Sequence, residues 1–403
     1  MTLRVRHLAL LALAALLVRL PVLAVSPGAS FDLESYARAA ACGGPGLYSS
    51  PALAGRYPYL PLWWMILKAL AALQRVFGGD VSVWFRLPGV AADLAVCSLA
   101  YLMARRRRAA VGSDEGQSAR AGIAAGLAWA LNPLAVLISA GHGQFDSLAL
   151  ALLLGAAWLL EYSADGRSET WAALCLAAAV ALKTWPLVFL PLCLGALSGP
   201  RERIRFTALA LLPPLALLSP WLAWDGVRAV AGRLAYSGVN ALGITGVLHA
   251  CFYAAGAGVP WRQSEPWIRA LALILLGSAL AWALMRARGL RLLEGLPWVA
   301  LILVLLAPGL SPQYLIWAPA LALAFSPALA WRLSLAALPL ALGFYALFMP
   351  EVLAGRAAWA PPEQTHALIL AWGAANLVWW LWTAGEWRRL SFGRPRGSGV
   401  GLL

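Results

Sequence analysis

The sequence predicts an all-α polytopic membrane protein, and three observations carry that expectation. Hydrophobic residues make up 62% of the 403 and charged residues only 12%, where a soluble chain carries about a quarter charged residues. Mean hydropathy is +0.75. The basic residues behind the net charge of +14 fall in short arginine clusters between apolar runs, the pattern of cytoplasmic loops facing anionic headgroups and not of a nucleic-acid surface. Residues 1–403 are read as one integral membrane domain.

Taken in order, Arg4 and Arg6 place the start of the first apolar run, His7 to Val25, in the cytoplasm. Its Ala-Val-Ser ending imitates a signal peptide. Because Arg19 interrupts the run and the loop after it looks essential, it reads as an uncleaved first span. The first outer loop, 26–82, then holds a short helix at Phe31 to Ala41. It also holds the apolar stretch Tyr57 to Phe77, which Lys68, Gln74, Arg75 and its early prolines mark as an interfacial helix on the outer leaflet. Parity supports this: a crossing there would put Arg105 to Arg108, after the span Val83 to Ala104, on the outside.

Span three, about Ala121 to Ser139, rises to a turn carrying His142, Gln144 and Asp146, and Ser147 to Tyr162 returns. Trp171 to Trp185 and Pro186 to Leu197 are short for full crossings and read as a broken pair meeting at Lys183-Thr184-Trp185-Pro186 near the outer face. Phe206 to Trp224 rises to an outer loop, 225–263, carrying Arg228, Arg233, Tyr236, Asn240 and His249. Pro266 to Met285 descends to Arg286, Arg288 and Arg291. Trp298 to Gly309, Leu315 to Trp331, Leu333 to Met349 and His366 to Trp387 complete about 12 transmembrane helices, with a cytoplasmic tail, 388–403, holding Arg388, Arg389, Arg394 and Arg396. Both termini are cytoplasmic. The strong arginine clusters then all lie inside. There is no 20 to 50 residue repeat and no inverted symmetry between halves. The five cysteines show no metal spacing; a Cys42 to Cys251 disulfide stays open. The 21 tryptophans suit interfacial belts.

This topology gathers the unusual polar residues on the outer side: Asp32, Glu34, Arg56, Tyr57, His142, Gln144, Asp146, Lys183, Arg228, Arg233, Gln313 and Tyr314. Ionisable groups inside a membrane protein are costly and mark functional sites, so an outward cavity roofed by 26–82 is expected. The plain alternatives are helix capping by Asp32 and by the His142 to Asp146 turn, a snorkelling Lys183, and turn and belt roles for Gln313 and Tyr314. Acidic residues can take a proton from an acceptor hydroxyl, and Lys and Arg can neutralise a phosphate leaving group. No nucleotide is available outside the cell, so the donor is expected to be membrane-borne; the inner loops hold no P-loop or dinucleotide fingerprint.

Several stretches carry a resemblance. An acidic residue before Tyr in the first outer loop (Asp32 to Tyr36) and Tyr57-Pro58-Tyr59-Leu60-Pro61 resemble the GT-C superfamily of polyprenyl-phosphate-sugar-dependent glycosyltransferases. So do Asn132-Pro133 with Gly143-Gln144-Phe145-Asp146-Ser147, and Leu182-Lys183-Thr184-Trp185-Pro186. Ser311-Pro312-Gln313-Tyr314-Leu315-Ile316-Trp317 is similar to a motif of prokaryotic polyprenyl-phosphomannose-dependent mannosyltransferases. The resemblance reaches to about Pro319. It implies a GT-C fold in the plasma membrane with an extracytoplasmic active site. It further implies inverting transfer of a hexose, mannose first, from a polyprenyl-phosphate-linked sugar donor to a glycan or glycolipid acceptor.

Under the resemblance Asp32 is the general base and Asp146 orients the acceptor or holds a cation. Lys183 contacts donor phosphate, with Arg228 and Arg233 as further phosphate ligands. Glu34, Tyr57, His142, Gln144, Gln313 and Tyr314 are substrate-binding. Where several relatives have Asp-x-Asp, this chain has Asp32-Leu33-Glu34. A divalent cation, Mg or Mn, would take oxygens from Asp32, Glu34 and Asp146, yet carboxylates two apart on a helix do not share a face. Membrane lipids are the remaining expected partner, and nucleic acid is not one. The competing classes are a flippase or transporter, which needs polar residues through the bilayer depth, a polymerase or ligase of lipid-linked glycans, and a structural membrane scaffold.

Overall fold

A backbone in lipid must satisfy its polar groups internally, which favours helices. The computed structural model describes residues 3–163, 165–235, 242–256, 258–286, 291–354 and 362–392, with side chains 258–263, 362–369 and 392 also left aside. These residues are helical with no strand among them, apart from one antiparallel bridge between Leu242 and Leu310. Tyr236, Asn240, Arg288, Arg394 and Arg396 lie outside the described residues.

The chain opens with α1 (Leu3–Val25), then α2 (Ser30–Ala41) and α3 (Pro61–Phe77) in the first loop, α4 (Val81–Ala110) and α5 (Glu115–Ala130). A bend of 42° separates α5 from the next helical stretch, which ends at His142. The sequence predicts a single span, about Ala121 to Ser139, across this bend. The break has a local cause: Asn132 Oδ1 accepts from the N–H groups of Leu134 and Ala135 and so caps α6 (Pro133–Val136), whose first residue, a proline, cannot donate back to α5. A π-helical segment, Leu137–His142, then delivers the polar turn, a distortion often found at functional sites.

From the turn run α7 (Asp146–Tyr162) and α8 (Ser168–Leu182). The expected break falls at Lys183, which is extended (φ −144°, ψ 139°), before a 3-10 turn at Trp185–Phe189 and α9 (Leu190–Gly195). α10 (Pro200–Trp224) follows. The segment 225–263, expected as a loop, instead contains α11 (Val227–Leu234), α12 (Gly243–Ala254) and the start of α13 (Gly258–Arg286), with α12 packed against a later helix through Asn376. α14 (Leu292–Leu306), α15 (Trp317–Ala322), α16 (Pro327–Phe348), α17 (Glu351–Ala354) and α18 (Pro362–Phe392) complete the chain.

Among the described residues five helices are long and apolar enough to cross a membrane, six if the bent pair counts as one crossing. α14 and α15 lie at the centre, almost every described side chain buried, whereas α1, α10 and α13 turn Leu10, Leu13, Leu17, Leu212, Leu215, Leu271 and Ile274 outward. Apolar faces of that size suit lipid and not water.

Side-chain contacts fix the two ends of the bundle. At one, Arg105 bonds Glu115, Arg107 donates to the Phe325 carbonyl, Arg205 donates to Thr170, and Arg332 and Arg389 share Glu386. These contacts tie α4 to α5 and to Phe325 just ahead of α16, α10 to α8, and α16 to α18. At the other, about 28 Å along α4 by helix rise, Arg86 Nη1 donates to the carbonyls of Ser26 (2.7 Å) and Ala140 (2.9 Å), joining the first loop to the polar turn.

The first loop is pinned over this second end. Asp225 accepts from the backbone of Gly46 and Tyr48 and from Ser49, while Trp221 donates to the Gly44 carbonyl. Beneath it an aromatic pad of Tyr36, Tyr59 and Trp63 meets Phe145, with Trp63 stacked on Phe145 at 3.7 Å. α3 buries Trp63 and Leu67 in this pad and exposes Met65, Leu73, Val76 and Phe77, as an interfacial helix would.

Gly89 on α4 lets the turn approach: a Cβ there would lie 2.7 Å from the Gln144 carbonyl oxygen. Backbone cannot yield as a side-chain tip can. Gly89→Ala is expected to cost about 1–3 kcal/mol, read as a lower thermal midpoint of the purified protein in detergent; an unchanged midpoint would show that the turn is free to move.

Candidate functional site

The polar turn and the first loop meet at an open cleft of about 370 Å3, lined by residues that include Asp32, Arg56, Tyr59, His142, Lys183, Trp185, Gln313, Tyr314 and Trp317. Asp32 stands in the first turn of α2, where the helix dipole favours a carboxylate. It does not cap: the N-cap position is Ala29. Its Oδ2 instead accepts from His142 Nε2 (2.5 Å) and from the Gln144 amide (3.0 Å). Its Oδ1 has no hydrogen-bond partner among the described residues, and the side chain, 18% exposed, faces the cleft. Burial pushes the Asp32 carboxyl up. The His142 hydrogen bond, the His142 charge when that ring is protonated, the Gln144 bond and Lys183 outweigh it and hold the group below its ordinary value of 3.8.

His142 itself is buried, with its other nitrogen, Nδ1, 2.6 Å from the Tyr345 hydroxyl. Gly143, at φ +96°, ends the π-helical segment, and a side chain there would strike Arg86. The turn thus depends on that glycine and directs Gln144 back toward α2 and Lys183.

Lys183 is not a snorkelling residue. It is 6% exposed, its ammonium donating to Asp146 Oδ2 (2.6 Å) and Gln144 Oε1 (3.2 Å) and lying 4.5 Å from the Phe145 ring centroid. Lysine has three N–H donors, so one remains for the cleft. Asp146 is wholly buried, with its second oxygen taken by Trp317 Nε1 (2.9 Å). It anchors Lys183 and does not reach the cleft, which corrects its expected role on the acceptor. Trp317 in turn stacks between Trp185 and Tyr314, each at 4.3 Å.

Of the other expected residues, Gln313 and Tyr314 line the cleft. Glu34 turns away, half exposed, to Arg38 (2.5 Å) and Arg56 (2.9 Å). Tyr57 is buried in the pad and donates to the Leu60 carbonyl. Arg233 is spent on the Tyr48 and Ser50 carbonyls, and Arg228 is exposed on α11; neither lines the cleft. Arg56 does, lying over the Phe31 ring at 4.4 Å. It replaces them as the second cation of the site.

The cation set of Asp32, Glu34 and Asp146 is not assembled, since arginines hold Glu34 and Lys183 and Trp317 hold Asp146. Among the described residues no three His, Cys, Asp or Glu side chains are grouped to hold a metal ion. Cys42 and Cys251 are both free thiols.

A second polar cluster sits deeper and escaped sequence reading except for Arg19. Asp93 on α4 accepts from Arg19 Nε (2.7 Å), Trp129 Nε1 (2.9 Å), Ser139 Oγ (2.6 Å) and Ser147 Oγ (2.6 Å). Arg19 and Asp93 are both fully buried and neither lines the cleft, so the cluster is read as a frame and not a binding site. A charge of each sign in two neighbouring apolar runs was the signal that could have found it. No protein-family model matches the chain, and the chemistry of the cleft is argued from its own geometry.

Proposed function

We propose that the protein is an inverting glycosyltransferase of GT-C type. It would move a hexose, mannose first, from a polyprenyl-phosphate-linked donor to a glycan or glycolipid acceptor at the outer face of the plasma membrane. The reading includes about twelve crossings with both termini in the cytoplasm, following the arginine clusters. The observation that carries it is Asp32: an ionised carboxylate with one oxygen held by His142 and Gln144 and the other without a partner at the cleft. Lys183 and Arg56 line the same cleft.

In this scheme Asp32 Oδ1 takes the proton of the acceptor hydroxyl as its oxygen bonds to the sugar C1. The bond from C1 to the phosphate oxygen breaks, and the charge left on the polyprenyl phosphate is met by the remaining Lys183 N–H and by Arg56. Gln313, Tyr314 and the Trp185–Trp317 stack border the sugar. The apolar side of the cleft includes Leu234, Leu273, Leu303 and Phe344, with Leu273 exposed on the outer face of α13; a lipid-linked substrate suits that wall.

The test uses purified protein in lipid with radiolabelled polyprenyl-phosphate-mannose or polyprenyl-phosphate-glucose and an added membrane glycolipid extract. Sugar leaving the donor lipid for the extract is expected with one of them. No transfer from either by folded protein would count against this donor class and favour a flippase or a polymerase of lipid-linked glycans.

The Lys183 assignment needs two variants. Lys183→Met leaves Asp146 buried and uncompensated, so it should lose about 3–5 kcal/mol of stability along with donor binding. Adding Asp146→Asn removes that charge while keeping an acceptor for Trp317, and should restore much of the thermal midpoint without restoring donor affinity. Recovery of both would place the donor phosphate elsewhere.

A further inference from the structure

The support behind Asp32 extends one residue beyond the cleft. Tyr345 on α16 is fully buried, its hydroxyl 2.6 Å from His142 Nδ1, with the two rings edge to face at 5.4 Å and 87°. On the far side of the imidazole, Nε2 lies 2.5 Å from Asp32 Oδ2. An ionised carboxylate only accepts, so Nε2 carries a proton. Nδ1 then either accepts from the Tyr345 O–H, in a neutral ring, or donates to the Tyr345 oxygen, in an imidazolium. In the second arrangement the phenolic proton needs an acceptor of its own. None is within hydrogen-bond reach among the described residues, and a buried donor without a partner is costly.

We propose that Tyr345 is a positioning residue that, by donating to Nδ1, holds His142 as the neutral Nε2–H tautomer, so that Asp32 faces a neutral donor and not a cation. A carboxylate paired with an imidazolium is a weaker base than one accepting a neutral N–H. The consequence for turnover rests on the transferase reading above; the tautomer does not.

The surroundings leave this choice to Tyr345. On α2, Glu34 is engaged by Arg38 and Arg56. From the α7 and α8 side, Asp146 and Lys183 pair with each other. Glu351 on α17 bonds Ser30 at the start of α2. Burial raises the Tyr36 and Tyr59 hydroxyls well above their ordinary range, so both face Asp32 uncharged. Tyr345→Phe removes one hydroxyl and leaves each of these groups in place.

The chain has four histidines, few enough for nitrogen NMR of the full-length protein, labelled with 15N-histidine, in lipid nanodiscs. The His142 signals are assigned by their loss in His142→Gln. At neutral pH the wild type should show a protonated Nε2 and a bare Nδ1, and Tyr345→Phe should move the ring toward the imidazolium pattern. An imidazolium or an Nδ1–H tautomer in the wild type overturns the proposal, as do signals unchanged by Tyr345→Phe. The wild-type spectrum decides even if the variant folds poorly.

Turnover provides the second arm. Tyr345→Phe should lower kcat about tenfold with the donor KM held within about twofold. His142→Gln offers Asp32 an N–H that cannot titrate, and in that background Tyr345→Phe should cause no further fall in kcat. A further fall would show that Tyr345 acts by packing alone. If the wild type transfers from no donor, the transferase reading fails while the nitrogen signals still decide the role of Tyr345.

Discussion

Asp32→Asn is expected to abolish transfer, with kcat lower by about 10²–10⁴ and the thermal midpoint close to that of the wild type. The substitution removes the base and almost no volume. The amide that replaces the carboxylate can still offer its carbonyl oxygen to His142 Nε2 and Gln144, the two groups that hold Asp32 Oδ2. The pH profile separates a base from a structural carboxylate. Because the folded state holds the Asp32 carboxyl below its ordinary 3.8, the ionised form stabilises the fold above that value, and this contribution is lost as pH falls through the lower folded value. The acid limb of kcat/KM should therefore lie below about pH 4 and vanish in Asp32→Asn with the activity itself. Near-normal turnover in Asp32→Asn would remove Asp32 from the chemistry. An acid limb near pH 6 that persists in His142→Gln, where the side chain against Asp32 cannot gain a proton, would point to another group as the base.

The same residues show how far sequence could reach. Asp32, His142, Gln144 and Lys183 stood out because each is polar beside an apolar run, and helix parity predicts one side for all four; that they meet is a matter of tertiary packing. Charge does not reveal its own partner, however. Asp146 looked as exposed as Asp32, but it is Lys183 and Trp317 that occupy it, and that depends on how α15 packs beside α7 and α8. Tyr345 and Trp317 lie in runs where an aromatic residue ordinarily signals packing or an interfacial belt, so nothing local separated them from the other aromatics. Arg228 and Arg233 were assigned to phosphate on their side of the membrane only. Side alone does not bring a guanidinium to a cleft, and Arg233 is consumed by two carbonyls of the first loop. The bend before Pro133 was legible, since Asn-Pro caps and restarts a helix, but hydrophobicity continued through it and masked it.

Asp93→Asn should give the opposite phenotype: loss of the fold ahead of any loss of chemistry. Asp93 accepts from side chains on four other segments, Arg19 on α1, Trp129 on α5, Ser139 in the π-helical segment and Ser147 on α7. An amide cannot accept on both sides, and its NH2 must face a donor, while Arg19 keeps a buried charge with no counter-ion. Removing one partner of such a pair costs about 3–5 kcal/mol. Arg19 also donates to the carbonyls of Ala15, Ala130 and Trp129, so Arg19→Met should be about as damaging. In the double variant the orphaned charge disappears, and the loss should be clearly smaller than the sum of the two, measured as thermal midpoints in one detergent. Activity should follow stability here, because Ser139 and Ser147 flank the turn that carries His142 and Gln144, and slackening them frees both groups from Asp32. A midpoint for Asp93→Asn within about 1 kcal/mol of wild type would mean that the ion pair is replaceable and that the turn is held by Arg86 and the aromatic pad instead.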